Sequence, residues 1–140
     1  MKINTKVRYG LRAMIEIARE NNTTGILQKE IAEKQCIPLS YLDSIITSLR
    51  NAGLIVNFAG RGAGYILAKK ADQINVYDIY RAFEPELNLV QCKCETNECI
   101  RSGICPAEDY WYHLNNLVKA GMIAQNLSDL IKLKFQNNSK

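Results

Sequence analysis

Residues 28–53 read QKEIAEKQCIPLSYLDSIITSLRNAG, and this stretch decides the fold. Gln28 to Gln35, carrying Ile31 and Ala32, has the length of a short helix. Cys36-Ile37-Pro38 then turns the chain, because proline has no N–H to donate yet suits the first turn of a new helix. Ser40 and Asp43 stand at capping-box spacing, which starts that next helix near residues 38–40. Within it Leu42, Ile45, Ile46 and Leu49 recur at three and four residues as one apolar stripe, and Gly53 closes the helix after Asn51. Ser40, Tyr41, Asp43, Ser44, Thr47 and Arg50 are left on outward faces. Two short helices around a tight turn, the second polar on its free side, read as a helix-turn-helix over 28–51.

Upstream, Val7, Leu11, Met14, Ile15 and Ala18 give one apolar stripe of a helix over 5–20, with Lys6, Arg12, Glu16 and Arg19 on other faces. Asn21 to Gly25 supply turn chemistry. Downstream, Leu54 to Phe58 and Tyr65 to Leu67 are β-prone, and Gly60, Gly62 and Gly64 allow the backbone angles of a hairpin tip that carries Arg61. Three helices followed by a hairpin is the element order of a winged helix-turn-helix. Val76 to Phe83 reads as one more short helix, and from Glu84 to Cys105 the periodicity is lost. Pro106 restarts a helix to about Asn126, with Trp111, Leu114, Leu117, Val118, Gly121 and Met122 along one side. That side needs a partner, either its own core or a second copy of the chain. Ser128 or Asp129 begins a last helix over Leu130 to Phe135. The expected class is mainly α with a small β-hairpin. Its parts are a winged helix-turn-helix over 1–84, a cysteine-rich loop over 85–106, a dimerisation helix and short final helix over 107–135, and a tail over 136–140.

The composition sets the frame for function. At 140 residues the chain has room for one core and one appended element, and 47% hydrophobic with 23% charged residues excludes wholesale disorder. No apolar run approaches the roughly 18–20 residues of a membrane span. The start, Met1 to Lys6, lacks the apolar stretch of a signal peptide, so a cytoplasmic location and no membrane partner are expected. The net charge of +4 is unevenly spread. Residues 1–70 hold eleven Lys or Arg against five acids, whereas residues 71–110 hold three against eight. The basic half coincides with the helix-turn-helix, which points to nucleic acid.

In that motif the second helix enters the major groove with its first residues at base edges. Ser40, Tyr41 and Asp43 hold those positions. Gln28 begins the first helix, Arg50 is a phosphate-contact candidate with Lys6 and Arg8, and Arg61 on a glycine-flanked tip suits a narrow minor groove or a phosphate. The alternative for Asp43 is simple helix capping, and for Tyr41 packing on its own domain. Four of five cysteines, Cys92, Cys94, Cys99 and Cys105, fall within fourteen residues, while Cys36 stands apart and reads as a buried residue. Soft thiolates so close together select zinc, copper(I) or an iron-sulfur cluster. The one-, four- and five-residue gaps are unlike the two-residue gaps of zinc knuckles and fit one loop around a cluster. Zinc, or a thiol switch with no cofactor, is the alternative.

Four stretches carry a resemblance over essentially the whole chain: Thr5 to Ala13 (TKVRYGLRA), Ile37 to Leu42 (IPLSYL), Leu49 to Ile55 (LRNAGLI) and Gly60 to Leu67 (GRGAGYIL). Together they resemble the Rrf2 family of bacterial winged-helix regulators, the group of the IscR, NsrR and CymR types. The resemblance implies a dimeric DNA-binding regulator. In the sensing branch it also implies a cysteine trio holding a 2Fe-2S or 4Fe-4S cluster between the wing and the long helix. Cys99 and Cys105 have the family's separation. The first ligand is then Cys94, as in NsrR-like proteins, or Cys92, as in IscR-like ones. The departures are Glu108 where IscR-like proteins have histidine, Arg8 where NsrR-like ones have aspartate, and Ala59 where IscR-like ones have the wing arginine. The fourth ligand is thus Glu108, Asp109 or the spare member of the Cys92/Cys94 pair, and His113 is a surface or packing residue.

The expected protein is a homodimeric transcriptional regulator on a pseudo-palindromic operator of double-stranded DNA. Its affinity would shift with cluster loss, oxidation or nitrosylation by a change of population between two states. No constellation for hydrolysis or group transfer occurs, so it is not expected to be an enzyme. The rivals are a cluster-free thiol or zinc regulator of the same fold and an iron-sulfur carrier.

Overall fold

Asn4 begins the architecture: its side chain accepts from the Val7 amide at 2.9 Å and caps helix α1, Thr5–Arg19. The computed structural model describes residues 2–20, 24–58, 64–90 and 99–137. Helices α2, Gln28–Gln35, and α3, Leu39–Asn51, follow, and then strands β1, Ile55–Asn57, and β2, Tyr65–Leu67. After a 3₁₀ turn at Ala71–Gln73 come α4, Val76–Arg81, α5, Pro106–Ala124, and α6, Leu127–Asn137. The result is mainly helical with a small antiparallel sheet, as expected. Gly60, Arg61 and Gly62 of the expected tip lie outside the described residues.

The stripe Leu42, Ile45, Ile46 and Leu49 is buried, and it packs with Ala13, Met14, Ile17, Ile31, Ile37, Leu54, Ile55, Ile74, Ile79 and Leu127 in one core. Gly53, at φ +75°, closes α3 with its amide on the Arg50 carbonyl at 3.0 Å and the Leu54 amide on the Leu49 carbonyl at 3.1 Å. These two bonds are the Schellman pattern that a left-handed residue after a helix makes available. The capping box expected from Ser40 and Asp43 is not formed: Pro38 occupies the N-cap of α3 with no side-chain bond, and the Asp43 carboxylate turns to Gln28.

The hairpin pairs Ile55 with Leu67, Val56 with Ile66 and Asn57 with Tyr65. A third segment joins it, with Ile26 and Tyr65 exchanging main-chain bonds of 3.1 and 2.7 Å. This explains Gly64, which was read as a tip residue. Its φ is not positive, but a Cβ there would lie 2.4 Å from the Ile26 nitrogen. The glycine is required by the close crossing of two backbones.

Four readings are corrected. Glu16, read as lying off the apolar stripe of the first helix, is buried. Cys36, read as buried, is exposed and sits at φ 53° as the C-cap of α2. The long helix ends at Ala124, because Asn126 is drawn out of it to bridge Asn75. The final helix accordingly starts at Leu127, three residues ahead of its expected start, with Asn126 and Asp129 capping each other at 2.8 and 3.3 Å. Leu127 is fully buried, and α6 packs against α1. No helix among the described residues is long and apolar enough to cross a membrane.

Candidate nucleic-acid interface and cysteine loop

The outward side of α2 and α3 brings together most of the residues singled out in the sequence. Ser40, Asp43 and Arg50 are exposed, and Gln28 and Tyr41 are half-buried. Gln28 Nε2 donates to Asp43 Oδ1, so the first residue of α2 is tied to the first turns of α3. Asp43 therefore joins the two helices at their surface rather than capping one. Ser44 Oγ donates to the Tyr41 carbonyl at 2.9 Å and Thr47 Oγ1 to the Asp43 carbonyl at 2.8 Å. Tyr41 meets Tyr9 of α1 edge to face, with ring centroids 5.4 Å apart. Lys6 and Arg8 are exposed near the start of α1, where Arg8 Nη2 donates to Thr5 Oγ1 at 3.2 Å. Arg61 lies outside the described residues.

The second region lies on α5. Two of its side chains hold the two limbs of the cysteine loop. On the entering limb, Asn115 Oδ1 accepts from the Leu89 amide at 2.9 Å and Asn115 Nδ2 donates to the Leu87 carbonyl at 3.0 Å. The Leu87 amide donates to the Tyr77 hydroxyl of α4 at 3.2 Å, and Lys119 bridges Glu86 at 2.9 Å beside the Tyr77 ring. That bond holds the Glu86 carboxyl below and the Lys119 ammonium above their ordinary pKa values. On the returning limb the buried Glu108 accepts from the Gly103 amide at 2.9 Å and from Ser102 Oγ at 3.3 Å. Glu108 and Asn115 are seven residues apart, two turns of one helix face.

Cys105 occupies the N-cap of α5. The backbone amides of Glu108 and then Ala107, with the Arg101 side chain, hold its thiol below the ordinary value. Cys99 and Cys105 are half-buried, and both are free thiols. Cys92 and Cys94 lie outside the described residues, and among those described no group of three or more His, Cys, Asp or Glu is gathered for a metal. The thiols present suit a soft metal or cluster, because a lowered thiol pKa favours the anionic form, the form that ligates. The Glu108 carboxylate is directed at the loop backbone, and His113 is exposed. The sequence offered no sign of Asn115, whose partners lie 26 and 28 residues away.

A family model described as an iron-dependent transcriptional regulator, Rrf2, matches residues 3–133. The chain belongs to the Rrf2 family. An HTH-type transcriptional regulator of Neisseria meningitidis serogroup A is 35% identical over 134 residues, 96% of this chain and 90% of that one. The structure of CymR, the global cysteine regulator of B. subtilis, superposes with a TM-score of 0.80 at 32% identity, covering 95% of this chain and 98% of CymR. That of T. potens IscR gives 0.75 at 30% identity, covering 94% and 87%. This Rrf2 protein is a DNA-binding transcriptional regulator with the winged-helix fold of those structures.

Proposed function

We propose that this Rrf2 protein acts as a homodimer whose DNA affinity is set by an iron-sulfur cluster on the cysteine loop. The carrying observation is the setting of Cys105, a half-buried free thiol at the N-cap of α5 whose pKa is held below the ordinary thiol value, with Cys99 a second half-buried free thiol on the same limb. Cys99 and Cys105, with Cys92 or Cys94, would hold the group. The remaining member of that pair is favoured as fourth ligand over Glu108, whose oxygens serve Gly103 and Ser102. Bound there, a cluster supplies a link across the loop whose presence and charge depend on iron and oxidants.

The chain's own residues carry that state onward. Asn115 and Glu108 fasten both limbs of the loop to α5, and Tyr77 fastens the entering limb to α4 of the winged-helix unit. A loop that changes shape therefore pulls on the element next to the core. Tyr110, Tyr112, Leu117 and Ile123 are exposed along α5, which supports a second copy of this chain as the partner of that helix. In such a dimer Gln28, Ser40, Tyr41, Asp43 and Arg50 of each subunit, with Arg61 at the wing, would meet half-sites roughly 34 Å apart.

Anaerobic purification with an absorption spectrum and iron, sulfide and zinc analysis tests the cluster. Iron and sulfide in equal amounts, lost together in Cys99→Ala and Cys105→Ala but retained in Cys36→Ala, are expected. A full chromophore in Cys99→Ala would refute the site. The lowered Cys105 thiol also favours a second reading, a cluster-free thiol regulator. It predicts no iron after anaerobic reconstitution and DNA binding that a mild oxidant abolishes and a thiol reductant restores.

A further inference from the structure

A continuous polar chain crosses the winged-helix unit beneath its outward residues. Gln35 is the last residue of α2, and its carbonyl is one of those that a helix end leaves without an intrahelical partner. Arg12 of α1 donates through Nη2 to that carbonyl and through Nε to Gln35 Oε1 at 2.9 Å. Gln35 Nε2 in turn donates to the buried Glu16 at 2.6 Å, and the same carboxylate oxygen takes Arg19 Nη1 at 3.2 Å. On its other side the Arg12 guanidinium lies 5.1 Å from the Tyr9 ring, and Tyr9 abuts Tyr41, the third residue of α3. One side chain thus touches the end of the first helix of the motif and, through one ring, the beginning of the second.

The turn between those helices is anchored by the buried Ile37, whose amide donates to the Ala32 carbonyl at 3.0 Å, but no side chain caps the start of α3. Cys36 sits there in the left-handed region, where a residue with a Cβ is disfavoured. The guanidinium fork supplies two fixed donor directions and a flat face at once. A lysine ammonium cannot reproduce this geometry.

We propose that Arg12 is a positioning residue for sequence recognition: by joining Gln35 to Tyr9 and Tyr41 it sets the angle at which α3 is presented to the groove. This rests on the DNA-reading role of α3 proposed above. Base readout needs side chains placed to within about 0.5 Å. Attraction to phosphates is long-range and tolerates misalignment. Loosening the clamp therefore removes discrimination between sequences and leaves general affinity for DNA in place.

The test uses the full-length protein and two fluorescent duplexes of equal length, one selected by the wild type from a randomised pool and the other a shuffled version of it. Arg12→Ala is expected to lower the ratio of the two affinities by roughly tenfold. Binding to the shuffled duplex and the slope of affinity against salt should stay at wild-type values. Arg12→Lys should fail to restore the ratio, and Gln35→Ala, which removes no positive charge, should reproduce the loss and serves where Arg12→Ala does not fold. If Arg12 instead bound phosphate, Arg12→Ala would weaken both duplexes, reduce the salt slope by about one and be rescued by lysine. That pattern, or an unchanged ratio in Gln35→Ala, overturns the clamp and leaves the DNA reading intact. A wild type that selects no sequence overturns the DNA reading, and the clamp with it.

Discussion

Helices α3 and α5 carry comparable apolar patterns and reach opposite ends. The thirteen residues of α3 bury Leu42, Ile45, Ile46 and Leu49, whereas the nineteen residues of α5 bury only Glu108 and leave Tyr110, Tyr112, Leu117 and Ile123 exposed. Around α3 the partners are supplied by the same chain: α1, the strands, Ile74, Ile79 and the returning Leu127. Around α5 the chain supplies α4 and the two limbs of a loop held by polar bonds. The difference teaches that an apolar stripe fixes which face is buried but not what buries it. The winged-helix unit supplies its own core, whereas α5 keeps large apolar side chains exposed within this subunit, the face that the proposed dimer would use.

The largest effect expected from that contrast is in the core. Ile45→Ala should lower unfolding free energy by about 3 kcal/mol, independent of protein concentration in the concentration range where the assembly state does not change, as measured by urea denaturation. A loss under 1 kcal/mol would mean that the core is less complete than its packing indicates. Leu117→Glu on the exposed face of α5 should instead leave helicity intact and raise the dimer dissociation constant by roughly a hundredfold, read by light scattering across dilutions. A wild type already monomeric at micromolar concentration breaks the comparison outright.

Smaller effects sharpen it within the second region. Glu108→Ala leaves the Gly103 amide without its acceptor, so that amide should exchange faster by a factor corresponding to about 1–2 kcal/mol, while amides of α3 stay protected. Equal changes in both regions would show that the loop and the core open together. The smallest is a titration of the metal-free protein with its other cysteines replaced by serine. Because the Glu108 and Ala107 amides and Arg101 favour the Cys105 thiolate, alkylation of Cys105 should set in at lower pH than for an ordinary thiol. Arg101→Ala should move its midpoint upward. A midpoint at or above the ordinary thiol value would remove the electrostatic case for Cys105.

What the sequence alone determined is what short-range rules control. The stripe at 42, 45, 46 and 49, the turn at Pro38, the stop at Gly53 and the hairpin of 54–58 with 65–67 depend on residues within about a dozen positions of one another, so each was legible. The exposed placement of Ser40, Asp43 and Arg50 followed from the same periodicity, and the crowding of cysteines needed only counting. Tertiary structure decided the rest, because the deciding partners are distant in the chain. Glu16 is buried because Gln35 comes to it, Asp43 turns to Gln28, and Gly64 is a glycine because Ile26 crosses it. Asn126 leaves α5 to meet Asn75, and Asn115 is an unremarkable helical residue until Leu87 and Leu89 are laid against it. Periodicity reports how much of a side chain's surroundings must be apolar. Only the folded chain states which polar groups then face each other, since a hydrogen bond requires its two atoms within about 3 Å and sequence spacing fixes no such distance beyond a few turns.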